Sequence, residues 1–532
     1  MTSTIDTPVS SETASRPPAS APRQPGRRPS TGRVGIVVVL IVALLASALV
    51  RDWARSERAR GAIEYADTGG QSLANMNSFA LALLLGGLRG PLVMVLWTQS
   101  EQLKNEKNLE DFDTYVEWIR LLQPEFDTVH IFQVWNKAYN VSVQMASWAN
   151  KYTTILDAIE YANRVLAQRP DDISMIYQKA SIFFDKLGSA SEKDYYKERV
   201  RRESLPHESK QKLRPNEPGW RRLDFDPVLD ASGHILPKLL EPTKTRPANI
   251  PPGSEWNDGS ELQYLKPYND NGFPYGLSAF GFAYNYHKIA QVMQTVDQVR
   301  HANLSDLVVD SRPALALKGW SEDEWEHGRR LELKASNIAV PTERRDMEMP
   351  TANIAPDVPI TDEAAIRDAI FSYDLGARLS RDAIPEYERH LRSYTMNLTT
   401  YQSHMEGLRA QEPLMEGDRD YLKAILAKND PGARSALLKS AAQHYKDSVS
   451  LNLAVILHYY LPDQLAPHVL PAGITRADIA KLTPEQRLEA YQRLLDALKS
   501  YQFDPDAEDR SDYQRYVDRA QTRIARIEQA AK

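Results

Sequence analysis

The sequence of 532 residues contains no cysteine. This absence excludes disulfide bonds, a thiolate nucleophile and any metal site with a cysteine ligand. An exported protein gains from having no thiol to oxidise, so the absence fits export. It does not decide the compartment, because cysteine-free cytoplasmic proteins are common.

The chain also lacks a large excess of either charge, with 65 basic residues, 71 acidic residues and a net charge of -6. Without a basic excess, a nucleic-acid partner is not expected. Hydrophobic residues make up 42 % of the chain. That share excludes a disordered protein and is enough to bury the cores of roughly two to four domains.

Catalytic motifs are absent as well. No Gly-Lys-Ser/Thr phosphate loop occurs. The stretch from Gly276 to Gly281 is one residue out of register for a nucleophile elbow, and we interpret it as a tight glycine turn. His207-Glu208 lacks the second histidine of a zinc-protease helix. The sequence therefore predicts no catalytic residue, no metal site and no cofactor, and it favours a protein that is not an enzyme.

One acidic group has part of the pattern of a calcium loop. Asp224, Asp226 and Asp230 are followed by Gly233. Val228 occupies a ligand position, however, and no glutamate closes the site. A calcium site is therefore not predicted.

A second acidic group, residues 322–326, has the pattern of a helix start. Ser321 and Glu324 have the spacing of a capping box, and Trp320 and Trp325 occupy the two staple positions. Carboxylates in a first helical turn are stabilised by the helix dipole. We therefore predict that a helix begins at Ser321, and we favour this structural role over cation binding.

What the sequence does contain is one long uncharged apolar run, Val34 to Val50. Its seventeen residues span about 25 Å as a helix, slightly less than a hydrocarbon core of roughly 30 Å. Arg33 and Arg51 can extend to the headgroups at either end. The run predicts a single transmembrane helix that anchors the chain in the lipid bilayer. The Ser- and Pro-rich residues 1–33 before it are expected to be a disordered tail.

A cleaved signal peptide is the alternative, because Ala46-Ser47-Ala48 has the pattern of a cleavage site. The long leader and the apolar Leu49 and Val50 favour the retained anchor. The flanking arginines favour a cytoplasmic N-terminus, which places the body on the outer, periplasmic side of a bacterial inner membrane. The opposite orientation would make the protein a cytoplasmic adaptor.

A second apolar stretch, Phe79 to Trp97, is interrupted at its centre by Gly86-Gly87, Arg89 and Pro91. A membrane helix would incur a charge penalty and a break in backbone bonding there. We therefore predict two buried helices joined at the glycines, and a single membrane span in the chain.

Paired helices closed by proline are predicted from Leu92 to Leu187, where Pro124 and Pro170 each end a helix. Small and bulky residues alternate at helix-packing spacing in three segments: Phe112, Val116 and Ile119; Ala158, Ala162 and Val165; Ile176, Ala180 and Phe183, with Gly188 at the turn. This pattern resembles tetratricopeptide repeats, which implies stacked helical hairpins that bind a protein. The two prolines lie 46 residues apart, whereas a regular array repeats every ~34 residues.

The overall prediction is a mainly α protein whose tetratricopeptide-like domain covers residues 51–204. Residues 205–275 contain eleven prolines and many aromatics, which predicts an ordered irregular insertion without long helices. Residues 276–340 are expected to continue the helical domain, with a helix from near Leu277 to Val296 and a local ion pair among Asp306, Asp310 and Arg312. Residues 341–360 form a proline-rich linker.

Residues 361–532 are predicted to form a helical, coiled-coil-like region. Two apolar seams repeat at an average step of 3.5 residues, which is typical of coiled coils: Tyr387, Leu391, Tyr394, Leu398, Tyr401, Met405 and Leu408; Tyr513, Val517, Ala520, Ile524, Ile527 and Ala531. They are expected to pair with each other or with a second subunit, giving a homo-oligomer. Between them, Thr483 to Gln486 predicts a capped helix.

These features favour a membrane-anchored helical scaffold of the cell envelope that binds a protein partner. The residues expected to contact the partner are aromatic: Trp135, Tyr139, Trp148 and Tyr177. The alternative is an exported enzyme or ligand-binding protein whose site lies in residues 205–275. In that case Asp224, Asp226 and Trp256 are the candidate ligand contacts.

Overall fold

The structure, a computed structural model, describes residues 89–105, 114–115, 118–119, 122, 127–205, 228–237, 262–295, 305–337, 360–394, 397–501, 504 and 506–531. This part of the chain is helical, and its one pairing of extended residues is an isolated antiparallel bridge between Leu229 and Ile235. The predicted mainly α class is confirmed. The predicted tail and transmembrane helix lie outside the described residues. None of the described helices is both long enough and apolar enough to cross a membrane.

The helices are numbered here in chain order within the described residues. They are α1 (Arg89–Asn105), α2 (Asp127–Trp135), α3 (Ser142–Gln144), α4 (Trp148–Gln168), α5 (Ile173–Ser181), α6 (Lys193–Glu203), α7 (Ala279–Thr295), α8 (Asp306–Ala335), α9 (Glu363–Ser393), α10 (Leu398–Leu426), α11 (Pro431–Tyr459), α12 (Ala466–Val469), α13 (Pro484–Leu498) and α14 (Ala507–Ala530). Two π-helical segments, π1 (Asn136–Val141) and π2 (Ile182–Gly188), continue α2 and α5. Two 3-10 helices cover Gln263–Tyr268 and Arg476–Lys481.

The central layer consists of α8, α9 and α10, which pack side by side. The start of α8 faces the end of α9, since His390 Nδ1 lies 3.0 Å from Asp310 Oδ2. At the other end, Thr361 Oγ1 donates to the Ala335 carbonyl at 2.8 Å, so α8 and α9 are antiparallel. One apolar core includes the first half of α8 and helices α4, α5 and α7, and a second includes its last part and helices α11, α13 and α14.

A helical hairpin formed by α4 and α5 lies where the repeat-like pattern occurs. Ser147 caps α4 by accepting from the Asn150 amide at 3.1 Å, and Asp172 caps α5 through the Met175 amide at 3.0 Å. Helix α4 ends before Pro170, as predicted. The expected packing residues of both helices are buried: Ala158, Ala162, Val165, Ile176, Ala180 and Phe183. Ile119 is also buried, whereas Phe112 and Val116 lie outside the described residues.

Three further segments can be compared with their predictions. Helix α1 covers the second half of the Phe79 stretch and begins at Arg89, but Met94 on it is 72 % exposed, so this helix is not fully buried. The helix expected from near Leu277 to Val296 is confirmed by α7 over Ala279–Thr295, and Val296 lies outside the described residues. The capped helix at Thr483 is also confirmed, with its capping box formed in α13.

The helix start predicted at Ser321 is wrong. Helix α8 begins at Asp306 and passes through this position without interruption. The Ser321 hydroxyl donates to the Gly376 carbonyl at 2.9 Å and lies 2.7 Å from the Ser380 hydroxyl, both on α9. Trp320 is fully buried. The spacing of a capping box involves only residues within one helical turn. It therefore cannot show that the polar partners of Ser321 come from a neighbouring helix.

The prediction that the first coiled-coil seam lies on one helix is also wrong. Helix α9 ends at Ser393, Asn397 adopts the left-handed conformation with φ of 56°, and α10 begins at Leu398. The two halves of the seam therefore belong to adjacent helices, and the Tyr387 and Tyr401 rings lie 5.9 Å apart between them. The second seam lies on α14, where it packs mainly against α11 of the same chain. The homo-oligomer stays a prediction, although this seam is already covered.

The predicted acidic group lies in the middle of α8, where it belongs to a buried network around Arg201. Arg201 Nη2 donates to Asp323 Oδ2 at 2.6 Å and to Glu324 Oε1 at 2.9 Å. Tyr275 donates to Glu324 Oε2 at 2.7 Å. Burial by itself would raise the pKa of Asp323, but Lys197 and Arg201 hold it well below its usual range. These carboxylates therefore fix α6 to α8, and the helix dipole is not their stabilising partner.

Candidate functional site

Three of the four residues predicted to contact a partner lie near one another. Trp135 ends α2 and is 38 % exposed, Tyr139 lies on π1, and Tyr177 lies on α5. Trp148 begins α4, and its ring lies 5.9 Å from that of Tyr195. We call the first group, together with Asp185 and Arg312, the aromatic-ionic patch.

Two π-helical segments contribute residues to this patch, and they contact each other. A π-helical turn takes in more residues than an α-helical turn, so it changes the direction of the side chains that follow, and such turns are frequent at functional sites. Tyr139 comes from π1 and Asp185 from π2. The Ser142 hydroxyl donates to the Ala138 carbonyl at 2.6 Å, which satisfies one backbone acceptor freed at the end of π1.

The aromatic side of the patch is a row of rings along α1 and α2. The Trp135 and Tyr139 rings are stacked at 6.2 Å, Phe132 lies 6.1 Å from Trp135, and Trp97 lies 5.5 Å from Phe132. The Tyr139 hydroxyl donates to the Ser181 carbonyl at 3.2 Å. The row therefore has one ring, Tyr139, that is fixed by a hydrogen bond, and next to it one partly exposed indole, Trp135.

The ionic side of the patch is a pair between distant parts of the chain. Arg312 Nη1 lies 3.3 Å from Asp185 Oδ1, and the guanidinium stacks over the Phe184 ring at 5.2 Å. The predicted local pair with Asp310 is wrong, because Asp310 pairs instead with Arg389 at 3.2 Å and with His390 on α9. The Arg312 side chain therefore contacts Asp185 and Phe184 on π2, which lie far from it in the sequence.

Burial shifts the pKa of the two tyrosines and of the carboxylate in the patch. Burial raises the pKa of Tyr139, and the neighbouring Asp185 raises it further. Burial also raises the pKa of Tyr177 and of Asp185, although Arg312 opposes both shifts. Both phenols are therefore neutral at physiological pH, and neither is prepared to act as a general base.

A buried histidine lies behind the patch. The His287 ring contacts Tyr177 at 5.1 Å and Phe184 at 6.2 Å, and neither ring nitrogen has a hydrogen-bond partner among the described residues. Burial, reinforced by the positive charge of Arg312, lowers its pKa well below the usual value. His287 is therefore neutral, and it packs as an aromatic ring.

The surface of the N-terminal helices is also unusually apolar. Most of the large hydrophobic side chains that are exposed in the described part of the chain lie before residue 144: Met94, Val95, Trp118, Trp135 and Val143. Trp118 is 48 % exposed. Apolar exposure is therefore concentrated in this part of the described sequence.

The ligand contacts proposed for the alternative function, Asp224, Asp226 and Trp256, lie outside the described residues. Asp230 is described, and its Oδ1 accepts from the backbone amides of Ser232 at 2.8 Å and His234 at 3.0 Å. It therefore closes a turn. Across the described ranges, no group of His, Asp and Glu is placed to hold a metal ion.

Asp185 and Arg312 are the patch residues that sequence reasoning missed. Asp185 interrupts the apolar run Ile182-Phe183-Phe184, which was the one available signal. The π-helical geometry has no recognised sequence pattern here. Comparison with known protein families, with curated proteins and with solved structures finds no match to this chain.

Proposed function

We propose that this protein is a membrane-anchored helical scaffold that holds a partner protein on its aromatic-ionic patch. The observation that carries the proposal is the composition of the patch, in which Trp135, Tyr139 and Arg312 lie together at a partly exposed surface. Trp, Tyr and Arg are the residue types that dominate the binding energy of protein interfaces. The rings of Phe132 and Trp97 extend the aromatic row from Trp135.

The chemistry of the patch favours binding over catalysis. The tyrosines are neutral, Asp185 is paired with Arg312, and Arg312 is stacked on Phe184. Stacked aromatic rings and a positioned guanidinium lose little conformational freedom when a partner docks. A protein segment with apolar side chains and at least one hydrogen-bond acceptor would match this surface.

Membrane anchoring through Val34–Val50 and a periplasmic location complete the proposal. They are supported by the uncharged run and by the arginines on its N-terminal side. An export-dependent phosphatase fused after Lys532 should be active in intact cells. If a cytoplasmic reporter at the same position is active instead, the envelope location is refuted. The relation to tetratricopeptide repeats is supported by the buried packing residues of α4 and α5.

Site-specific crosslinking in the native membrane tests the patch. A photoreactive amino acid at Trp135 is expected to give a discrete crosslinked product. The same amino acid at Leu488, an exposed position on α13, serves as the control. Arg312→Ala should strongly reduce the Trp135 product, because Arg312 supplies both charge and a stacking plane to the patch.

Arg493→Ala is the matched variant, since Arg493 is exposed and pairs with Glu489 within its own helix. It should leave the Trp135 product unchanged. The proposal is refuted if Trp135 gives no product that differs from the Leu488 product, or if both arginine variants reduce it equally. Circular dichroism of each purified variant verifies that the loss is not caused by unfolding.

A further inference from the structure

A cavity of about 260 Å³ lies in the C-terminal half of the described chain and shares no residue with the aromatic-ionic patch. Helices α8, α10 and α14 and the end of α11 each contribute to its lining. Its volume is close to the lower end of the range for small-molecule sites, ~300 Å³. It can therefore hold one short chain or a small organic group.

Negative charge dominates this cavity. Its lining includes the carboxylates of Glu322, Asp506, Asp509 and Asp512, against a single lysine, Lys318. Lys318 Nζ is already paired with Glu322 at 2.7 Å, and Asp512 pairs with Arg515 at 2.5 Å. Asp506 and Asp509 have no cationic partner within the described ranges. The cavity therefore has at least two carboxylates available to a positively charged ligand.

The one histidine in the lining does not offset this charge. Burial lowers the pKa of His404 to about 4, with Lys318 lowering it and Glu322 opposing the shift. The ring is therefore neutral at physiological pH. Its Nδ1 lies 3.4 Å from the Tyr387 hydroxyl, which orients it within α10.

A buried hydrogen-bond acceptor also lacks a partner at this cavity. Gln411 is only 4 % exposed and belongs to the lining. Its Nε2 donates to Glu322 Oε1 at 3.4 Å, which orients the amide, but its Oε1 has no hydrogen-bond partner among the described residues. A buried acceptor that has no hydrogen-bond partner is destabilising. A ligand that donates a hydrogen bond to Gln411 Oε1 would remove this penalty.

Four tyrosines provide the remaining surface: Tyr459, Tyr460, Tyr513 and Tyr516. The Tyr460 and Tyr513 rings are stacked at 5.4 Å, and Tyr516 meets Tyr513 edge-on at 6.2 Å. The Tyr460 hydroxyl is held by Ser403 at 3.2 Å, so the position of the ring is fixed. The faces of such rings attract organic cations.

The cavity combines carboxylates, an unpaired carbonyl oxygen and aromatic faces. All three bind a cation that carries several hydrogen-bond donors. We propose that this cavity binds an alkylammonium or guanidinium group. The group could belong to a free polyamine or to a lysine or arginine side chain of a bound protein, since both present the same chemistry. A bare metal ion fits less well, because the described acidic groups do not converge at ligand distances.

Isothermal titration calorimetry on the full-length protein in detergent tests the proposal at about 0.15 M salt, where weak non-specific attraction is screened. The probes are spermidine, as the free cation, and N-acetyl-lysine methylamide and N-acetyl-arginine methylamide, as protein side chains. Tighter binding of spermidine identifies a free cation as the ligand, and tighter binding of a blocked amino acid identifies a side chain. If none of the probes binds, the proposal is overturned.

Variants of the lining residues test whether the cation binds in this cavity. Asp506→Asn combined with Asp509→Asn should weaken binding roughly tenfold, because charged hydrogen bonds are lost. Glu508→Gln removes one charge from the same exposed helical turn, outside the cavity lining, and should change affinity less than about twofold. Equal losses per charge removed would show long-range attraction only and overturn the site. Arg312→Ala should leave spermidine binding intact, so this result is independent of the scaffold proposal.

Discussion

Glu332 offers the sharpest test of what holds the C-terminal half together. Its carboxylate is fully buried on α8, where it accepts from Arg519 Nη2 at 2.7 Å, Arg523 Nη2 at 2.5 Å and the Tyr373 hydroxyl at 2.6 Å. Asp418 on α10 is the second acidic partner of both arginines. We expect Glu332→Gln, which removes the charge and keeps the shape, to destabilise the protein strongly.

The magnitude follows from the geometry. One contact at 2.7 Å is worth ~6 kcal/mol of gross attraction at an effective dielectric constant of about 20. Desolvation of the ions offsets much of this attraction, whereas removing one partner of a buried pair typically costs ~3–5 kcal/mol. In Glu332→Gln the two buried guanidinium groups share the single remaining carboxylate of Asp418. We therefore expect a loss of ~3–5 kcal/mol.

The measurement is urea denaturation of the full-length protein, followed by far-UV circular dichroism. Arg523→Met on its own should also destabilise, because it leaves the carboxylates of Glu332 and Asp418 to share Arg519 and removes the guanidinium that lies 4.1 Å from the Tyr421 ring. Combined with Glu332→Gln, it should cost at least ~1 kcal/mol less than the sum of the two single changes, because the unpaired charges are removed together. Glu363→Gln, at an exposed pair with Lys428, should shift stability by less than ~0.5 kcal/mol.

Two outcomes would refute this reasoning. The first is a loss below ~1 kcal/mol for Glu332→Gln, which would mean that water or rearrangement compensates the arginines. The second is strict additivity of Glu332→Gln and Arg523→Met, which would mean that the two side chains act independently.

Lowering the pH should destabilise the protein, as Glu332→Gln does. The arginines hold the pKa of Glu332 low against the effect of burial, so its contribution is present above the unfolded pKa of about 4.3 and is lost as the pH falls through the folded value.

Three other changes have defined outcomes in the same denaturation assay. Gly276→Ala should destabilise far more than Gly473→Ala: both glycines have positive φ, but a Cβ at Gly276 would overlap the Arg201 carbonyl, whereas Gly473 faces open space. Burial lowers the pKa of His404 to about 4, below the unfolded value of about 6.5, so stability should fall between pH 6.5 and 4, and His404→Asn should reduce this loss by up to ~3 kcal/mol. Thr483→Ala should cost ~1 kcal/mol through loss of the α13 cap, and an unchanged midpoint would contradict that role.

Structural predictions from local sequence patterns were correct where the interacting residue lies within a few positions in the sequence. The cap at Thr483 depends on Gln486, three residues away, and the end of α4 depends on the adjacent proline. The alternation of small and bulky residues in α4 and α5 also identified the buried faces. These features are properties of a single helix, so a single segment of sequence contains the information that they need.

Local patterns failed where a distant residue supplied the partner. Ser321 has the spacing of a cap, yet its hydroxyl contacts α9, more than 50 residues away. The seam from Tyr387 to Leu408 has unbroken helical spacing, yet the chain turns at Asn397 and folds one half onto the other. Spacing alone cannot distinguish one long helix from two that pack side by side, because both bury the same residues.

In the candidate sites, too, the sequence indicated single residues, whereas the contacts between distant residues depend on helix packing. The sequence indicated Trp135, Tyr139 and Tyr177 as aromatic residues on helices. Asp185 and Arg312 meet only because π2 and α8 both pack against α7. Likewise, the carboxylates of α14 and the amide of Gln411 meet at one cavity only because α10 and α14 are neighbours.

By itself, the sequence determined the helical class, the caps and the apolar faces, because these follow from backbone geometry and spacing over three or four residues. The tertiary structure decided which charges meet. Arg201 reaches Asp323, and Arg519 and Arg523 reach Glu332, across more than a hundred residues of chain. A buried charge is tolerated only beside its partner, so these contacts depend on how the helices pack, which no single segment specifies.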